Sequence, residues 1–391
     1  MENRPPLSDA CRHLEGQQMF QILSKCKDIE LSGEKILHFE IGDPDYDTPD
    51  EIVNAAISSL RSGRTHYESS SGNYNLINRA REVTLKSRGF QPDPDQLLVT
   101  PGANYQIFLS LACICNPGDE VLIPDPGFVS YKSVCQFLNL KPVYYPLRQV
   151  NNFEINHTDI EPLVTTKTKA IILNSPSNPT GSVSSEDQVV YLYNLCKDFN
   201  IWLVSDEIYA RLIFSNSKAH FSASTIDQCK ERVILINGFS KAFAMTGWRI
   251  GVVTAPTFVI EKMRLLLETS LSCVPPFIQD AACEALSVQS HVWKLMLTSY
   301  EQRRDLLWSG LSNLNSFKVY KPQGAFYIFP DITATGYSDI DLANILLDEC
   351  RIAVTPGSFF GPSGKNHIRF SFCCPTEDIK VALELLYAKF G

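Results

Sequence analysis

Short, continuous runs of apolar residues recur through the middle of the chain and constrain its fold more than any other feature. They are Gln96–Thr100, Glu120–Pro124, Lys169–Asn174, Trp202–Ser205, Val233–Ile236 and Ile250–Thr254. Runs that do not alternate with polar residues are typical of strands buried on both faces, as in a parallel sheet between two layers of helices. A helical stretch such as 187–197 lies between several of these runs. The pattern therefore predicts an α/β fold.

The length of the chain predicts more than one domain. At 391 residues, the chain exceeds the size at which a single hydrophobic core usually stops growing. Residues 256–315 are predicted to form long helices, and the tail after them mixes strands with helices. We expect residues 51–290 to form a large cofactor-binding domain. The N-terminal segment 1–50 and residues 291–391 are expected to combine into a smaller α+β domain.

Composition argues against several partners. The net charge of −8 argues against nucleic-acid binding, because phosphate backbones require clustered Lys and Arg side chains. The most apolar window, 97–115, is interrupted by Pro101 and Gly102, so we expect no membrane span. Twelve cysteines without zinc-ligand spacing indicate reduced thiols and a cytoplasmic location. The seven histidines show no ligand spacing, so no metal is expected.

A lysine follows one of the apolar runs, and an arginine lies shortly after it. These residues are Lys241 and Arg249, in the segment 237–249. A neutral lysine can form a Schiff base with a carbonyl carbon. An arginine offers a fixed cationic group that suits a phosphate. The pair therefore suits a phosphate-bearing aldehyde, pyridoxal phosphate, although an isolated pair is more typical of a turn lysine beside a structural arginine.

Three further segments place polar residues directly after predicted strands, where ligands bind in open α/β sheets. Residues 100–104 open a helix whose free N–H groups favour a phosphate. Asn178 can donate to an oxygen on a bound ring. An ionised Asp206 would keep a pyridine nitrogen protonated, and Tyr209 is expected on the same helix face, within reach of the phenolic oxygen. Each segment alone is weak evidence, but all agree on one cofactor.

These motifs resemble those of the class I/II aminotransferases, pyridoxal-phosphate enzymes of fold type I in the aspartate aminotransferase superfamily. The matching motifs are Gly42–Asp45, Asn174–Gly181, Ser205–Tyr209, Ser240–Arg249 and His367–Arg369. The resemblance runs from about residue 15 to the end of the chain. It implies a large domain with a mostly parallel, seven-stranded sheet between helices, and pyridoxal 5′-phosphate as the cofactor.

The resemblance also implies a role for each matched position. The catalytic residues would be Lys241, which forms the Schiff base, Asp206, which faces the pyridine nitrogen, and Tyr209, which contacts the phenolic oxygen. Further cofactor-binding residues would be Ala103 and Asn104 through their backbone, Phe128 by stacking on the ring, Asn178, Ser240 and Arg249, and Tyr67 from a neighbouring subunit. The substrate-binding residues would be Gly42, Asn178 and Arg369, the last of which clamps the α-carboxylate.

The implied reaction is transamination between an amino acid and a 2-oxo acid, by a ping-pong mechanism through an aldimine at Lys241. The role of Tyr67 implies a homodimer with shared active sites. A carbon–sulfur lyase, or another eliminating enzyme on the same fold, stays open as an alternative. A non-catalytic regulator is disfavoured because the lysine, the aspartate and the arginines are all present. No second cation for a substrate side-chain carboxylate is evident, so the amino donor stays open.

Overall fold

The central element of the structure is a mixed sheet that joins segments spread over much of the chain. The computed structural model describes residues 5, 7–12, 14, 16–287 and 291–391. Its strands are β1 (Leu37–His38), β2 (Leu97–Thr100), β3 (Glu120–Asp125), β4 (Lys141–Pro146), β5 (Thr168–Asn174), β6 (Trp202–Asp206), β7 (Val233–Ile236), β8 (Gly251–Thr254), β9 (Tyr327–Ile328), β10 (Ile352–Ala353), β11 (Thr355–Pro356) and β12 (Ile368–Ser371). The order in the largest sheet is β2-β8-β7-β6-β5-β3-β4.

The prediction of a seven-stranded, mostly parallel sheet is confirmed. β4, β3, β5, β6 and β7 run parallel to one another, whereas β8 pairs antiparallel with β2 and β7. Every residue of β3 and β7 is buried, as the continuous apolar runs predict. The apolar runs did not reveal β4, because it is an edge strand with only one buried residue. Its two prolines, Pro142 and Pro146, are tolerated at an edge.

Helices cover the sheet and form most of the C-terminal part. They are α1 (Asp9–Arg12), α2 (Met19–Leu31), α3 (Asp50–Arg61), α4 (Tyr74–Arg88), α5 (Ala103–Ile114), α6 (Val129–Phe137), α7 (His157–Ile160), α8 (Glu186–Asp198), α9 (Ser224–Asp227), α10 (Thr257–Leu271), α11 (Pro276–Ser287), α12 (His291–Ser312), α13 (Asp339–Cys350) and α14 (Thr376–Phe390). The helix expected at 187–197 is α8, which begins after a capping box formed by Ser185 and Gln188. None of the described helices combines the length and apolarity needed to cross a bilayer.

The N-terminal segment pairs with the C-terminal part of the chain. β1 runs parallel to β10, with Leu37 opposite Ile352. A separate antiparallel sheet has the order β11-β12-β9. The largest buried cluster of the described residues joins Phe39 with Phe326, Phe370 and other C-terminal side chains. These contacts agree with a small domain built from both ends, and the boundaries 1–50, 51–290 and 291–391 stay predictions.

Candidate active site

A cavity of about 510 Å³ lies where the carboxyl ends of β5 and β6 meet the segments that follow β2 and β7. Every candidate residue from the sequence except Tyr67 lines it: Gly42, Ala103, Asn104, Phe128, Asn178, Asp206, Tyr209, Ser240, Lys241, Arg249 and Arg369. Tyr67 is 88% exposed and lies outside this cavity. The fold therefore brings together residues that are separated by up to several hundred positions in the sequence.

The amine of Lys241 is buried in this cavity and has an acceptor. Its Nζ donates a hydrogen bond to the carbonyl oxygen of Gly42 over 2.6 Å. Burial lowers the pKa of Lys241 to about 8, and the charges of Arg369 and Arg249 act in the same direction. Near neutral pH, a useful fraction of this amine is therefore unprotonated, as a nucleophile or a proton acceptor requires.

A carboxylate lies at the end of β6, in the same cavity. Asp206 is almost fully buried, and burial raises its pKa to about 6, although two hydrogen bonds lower it. One comes from the hydroxyl of Tyr131 to Oδ2 over 2.7 Å, and the other from the backbone N–H of Ile208 to Oδ1 over 3.2 Å. Asp206 is therefore held as an anion at and above neutral pH, in a position to face a cation.

The expectation that Asp206 and Tyr209 share a helix face is wrong. Asp206 is the last residue of β6, and Tyr209 lies in a turn after that strand. The turn still directs both side chains into the cavity. The hydroxyls of Tyr209 and Tyr327 lie 2.8 Å apart and form a hydrogen bond. Spacing alone could not distinguish a turn from a first helical turn, because both bring residues three apart close together.

The cavity narrows where Gly42 faces Tyr327. A Cβ atom at position 42 would come within 1.9 Å of the Tyr327 hydroxyl, so only glycine fits. The guanidinium of Arg369 lies 4.6 Å from the centre of the Tyr327 ring. Tyr327 therefore connects the Gly42 backbone, Tyr209 and Arg369. No site role was predicted for it, because it falls in the tail after residue 315, where only a mixture of strands and helices was expected.

One end of the cavity is built to receive an anion. α5 begins at Ala103, so the first backbone N–H groups of this helix have no partner within the helix. The guanidinium of Arg249 lies against Gly102, where a Cβ atom would meet Arg249 Nη2 at 2.7 Å. Gly102 also has φ +83°, a conformation that favours glycine. Together with Ser240, these groups form a set of donors and positive charge that suits a phosphate.

A second cationic group, Arg369, also lines this cavity. Its residue is buried, and it donates to Oδ1 of Asn178 over 3.0 Å and to the backbone oxygen of Glu40. No carboxylate hydrogen-bonds to this guanidinium among the described contacts. A guanidinium in a cavity suits a substrate carboxylate.

Several lining residues were not identified from the sequence. Tyr131 donates a hydrogen bond to Asp206. The ring of Phe128, three residues earlier, packs edge to face against the ring of Tyr131, with ring centroids 5.7 Å apart. Asn174, at the end of β5, accepts from the backbone N–H of Asn178 over 2.9 Å and so fixes that loop. The N-terminal wall is formed by Gln17, Met19, Phe20 and Ile41. The first three of these lie in the segment 15–20, which the family resemblance implies should border the pocket, whereas Tyr131 and Ile41 needed tertiary contacts for their assignment.

A second network holds the residue after Asp206. Glu207 accepts hydrogen bonds from Arg88 over 2.9 Å and from Ser222 over 2.8 Å, and lies 3.0 Å from the Nε2 of His220. Burial alone would raise the pKa of Glu207, but the charges of His220 and Arg88 and their hydrogen bonds lower it to about 2. These groups line a larger cavity of about 880 Å³ outside the candidate site. The network therefore holds the end of β6 in place from the side of this second cavity.

The donor set fits pyridoxal 5′-phosphate at each of its polar groups. Arg249, Ser240 and the start of α5 would hold the phosphate. Asp206 would face the ring nitrogen, and Lys241 would meet the aldehyde. An α/β fold with this arrangement at its strand ends defines a pyridoxal-phosphate-dependent enzyme.

Comparison with known proteins identifies the family. Residues 34–386 match the family model described as aminotransferase class I and II, and the chain belongs to this family. The chain is 37% identical over 366 residues to an aspartate aminotransferase of Pyrococcus abyssi, which covers 93% of each sequence. It is equally similar, at 37% over 366 residues, to aromatic-amino-acid aminotransferase 2 of Thermococcus litoralis, again over 93% of each.

Solved structures agree with this assignment. The structure of an aspartate aminotransferase of Thermus thermophilus with maleate superimposes with a TM-score of 0.94. That match has 31% sequence identity and covers 98% of this chain and 100% of the other. The protein is therefore a pyridoxal-phosphate-dependent aminotransferase that transfers an amino group between an amino acid and a 2-oxo acid. The lyase alternative is not favoured, because these relatives are aminotransferases.

The hydrogen bond from Tyr131 to Asp206 predicts a pH dependence of cofactor affinity. Asp206 loses its charge as the pH falls through about 6, and affinity for the cofactor should fall with it. The variant Tyr131→Phe removes a donor that lowers this pKa. Loss of a hydrogen bond to a charged group costs about 1.4 kcal/mol, which corresponds to about one pKa unit. The decline in cofactor affinity should therefore begin about one pH unit higher than in the wild type. Quenching of protein fluorescence by pyridoxal 5′-phosphate between pH 5 and 8 measures this.

Tyr145→Phe is the matched control for this variant. Tyr145 is also buried, but its hydroxyl donates to the backbone oxygen of Ile172 over 2.7 Å and to no carboxylate. In Tyr145→Phe, the pH at which cofactor affinity has fallen by half should equal that of the wild type. Equal midpoints for Tyr131→Phe and the wild type would contradict the electrostatic role of this contact.

Proposed function

We propose that Lys241 is the residue that links covalently to the cofactor and then moves the proton in transamination. The observation that supports this is the position of its buried Nζ in one cavity with Asp206, Arg249 and Arg369. Pyridoxal 5′-phosphate, when bound, supplies an aldehyde for the amino group and a protonated ring that draws the electron pair from the substrate α-carbon. The remaining work belongs to side chains of this chain.

Each side chain has a separate task in this proposal. Arg369 binds the substrate α-carboxylate and fixes the orientation of the α-carbon. Lys241 Nζ, once released, accepts the proton from the substrate α-carbon and delivers it to the aldehyde carbon of the cofactor, which receives the amino group, as general base and then acid. Asp206 keeps the ring nitrogen protonated through its negative charge. Asn178 and Tyr209 contact the phenolic oxygen, and Phe128 covers one ring face.

The walls of the cavity support donors with apolar or aromatic side chains. Among the described residues that line it, the cations are Lys241, Arg249 and Arg369, and each already has a task in the proposed mechanism. Three residues of the N-terminal wall, Met19, Phe20 and Ile41, are apolar, and the amide of the fourth, Gln17, donates to the hydroxyl of Ser130 over 2.9 Å. A substrate side-chain carboxylate would lose its hydration there without gaining a partner. One of the relatives is named an aromatic-amino-acid aminotransferase, which agrees with this choice.

A homodimer with shared active sites is also part of the proposal. Tyr67 follows α3 and is 88% exposed, so its side chain is accessible to a second copy of the chain. In the family that the motifs resemble, the matching tyrosine reaches the phosphate of the neighbouring subunit. We therefore propose that Tyr67 completes the phosphate site of the partner copy.

We also propose that the protein works in the cytoplasm. All twelve cysteines are unpaired in the structure. Unpaired thiols in this number are typical of proteins from reducing compartments.

The role of Lys241 predicts that its replacement abolishes both the covalent link and turnover. In Lys241→Ala, transamination should fall by about 10⁴-fold or more, because the nucleophile and the proton acceptor are both lost. Borohydride reduction followed by peptide mass spectrometry should find the cofactor attached at position 241 in the wild type only. Lys262→Ala, which changes an exposed lysine of α10, is the control and should behave as the wild type. Attachment of the cofactor to another lysine would disprove the assignment.

The apolar wall predicts the order of donors. Phenylalanine should have a kcat/KM at least about tenfold above that of aspartate, because the aspartate side chain would be buried without a cation. Single-turnover absorbance changes with a panel of amino acids measure this directly. A higher kcat/KM for aspartate would contradict the proposed substrate class while leaving the aminotransferase reaction intact.

The shared-site proposal predicts complementation between two inactive variants. Tyr67→Ala and Lys241→Ala are each expected to be impaired as homodimers. A hybrid dimer, co-expressed with two different tags and purified through both, contains one intact site if Tyr67 serves the partner copy. Its activity should return to about half of the wild-type value, since one of two symmetric sites is complete. A hybrid as impaired as its parents would show that Tyr67 serves its own subunit or no site.

A further inference from the structure

Three side chains with metal-ligating atoms meet outside the active site. Cys26 lies in α2, His38 ends β1, and Glu40 lies two residues beyond His38. One ligand atom of each residue lies within 4.8 Å of those of the other two. A thiol, an imidazole and a carboxylate are the ligand types that Zn²⁺ takes in proteins. No motif reveals this group in the sequence, because one ligand comes from a helix and two from the segment after it.

The last two ligands are already in contact. His38 ends β1, and Glu40 lies two residues on, at a bend in the chain. Nδ1 of His38 lies 2.9 Å from Oε1 of Glu40. α2 packs beside this pair through Cys26, which is fully buried. The three side chains therefore converge from two elements.

The carboxylate of Glu40 supplies an independent indication of a ligand. Its residue is 0% exposed, yet Oε2 is inaccessible to solvent and has no hydrogen-bond partner among the described residues. A buried carboxylate oxygen without a donor is costly, and such groups usually pair with a cation or bind a metal. Oε2 belongs to the carboxylate that groups with the Cys26 thiol and the His38 ring, so a metal ion there would supply the missing partner.

The surroundings also orient the imidazole as metal sites require. Nε2 of His38 lies 3.1 Å from Oε1 of Glu30, which stands one turn after Cys26 in α2. A ligating histidine usually donates its other ring N–H to a carboxylate, which fixes the ring. With Nε2 directed to Glu30, Nδ1 is the nitrogen that faces Glu40. The geometry therefore provides three ligands and one oriented ring.

We propose that Cys26, His38 and Glu40 bind one zinc ion, with water in the fourth position, and that the ion ties α2 to the segment after β1. This metal site lies outside the active-site cavity and is separate from the cofactor and from the transamination proposed above. α2 begins at Met19, which lines the active-site cavity. The backbone oxygen of Glu40 accepts from Arg369. The ion would therefore hold in place two segments that border the active site.

The proposal is tested on the holoenzyme with Zn²⁺ and Co²⁺ as probes. After removal of bound metal with a chelator and dialysis, elemental mass spectrometry should find one equivalent of Zn²⁺ taken up per chain. Co²⁺ should add a near-ultraviolet charge-transfer band, measured against the holoenzyme without metal, because a thiolate is one of the ligands. Zn²⁺ should raise the melting temperature, since a ligand that binds only the folded state stabilises it.

Two variants assign the ligands, and a third variant serves as the control. Cys26→Ser should lose the charge-transfer band, and His38→Asn should weaken Zn²⁺ binding by about tenfold or more. His38 is partly exposed, so His38→Asn is expected to fold, and its melting temperature should no longer respond to Zn²⁺. The control is Cys135→Ser, which changes another fully buried cysteine in α6 and should bind as the wild type does.

Three outcomes would overturn the proposal. The wild type could take up no Zn²⁺ at micromolar concentrations, which would leave His38 as a hydrogen-bonded residue between Glu30 and Glu40. Cys26→Ser and His38→Asn could bind Zn²⁺ as tightly as the wild type, which would place the metal elsewhere. Co²⁺ could bind without a thiolate band. Each outcome is independent of the cofactor link at Lys241, so failure here leaves the aminotransferase function untouched.

Discussion

The active site depends on the parallel register of three adjacent strands. Asn174, the last residue of β5, lies opposite Asp206 at the end of β6, and Asp206 lies opposite Ile236 at the end of β7. Because parallel strands end at the same edge, the loops that follow them open into one space. That space receives the Asn178 loop, the Tyr209 turn and the segment that carries Lys241. A slip of one residue between strands would turn Asp206 to the other face of the sheet, so the chemistry depends on this register.

Burial shifts the pKa values of the ionisable groups at that edge in opposite directions. It raises the pKa of Asp206 and lowers that of Lys241, so each charged form is held less firmly than in water. The hydroxyl of Tyr131 then stabilises the anion of Asp206, while no carboxylate hydrogen-bonds to the amine of Lys241 among the described contacts. The result is an anion that remains charged near neutral pH beside an amine that can lose its proton. Glu207, held by Arg88 and His220, anchors this arrangement from the far side.

Close packing around the substrate side connects the active site to the N-terminal segment. The backbone oxygen of Gly42 accepts a hydrogen bond from the Lys241 amine. Gly42 leaves room for the Tyr327 hydroxyl only because it lacks a side chain. Glu40, two residues earlier, accepts from Arg369 through its backbone and presents its carboxylate to Cys26 and His38. A short stretch of chain after β1 thus contacts Lys241, Arg369 and the proposed zinc site. Its position is fixed from both sides, and small shifts there would reach the cavity directly.

The sequence by itself determined the α/β class, the inner strands, the cofactor and most of the cavity, because buried strands and strand-end motifs are local patterns. It did not reveal the edge strand β4, which lacks a continuous apolar run, and it placed Tyr209 on a helix where a turn exists. Tyr131, Tyr327 and the cluster at Cys26 were decided only by the tertiary structure. Their roles depend on distances between segments remote in sequence, and no single segment records such distances.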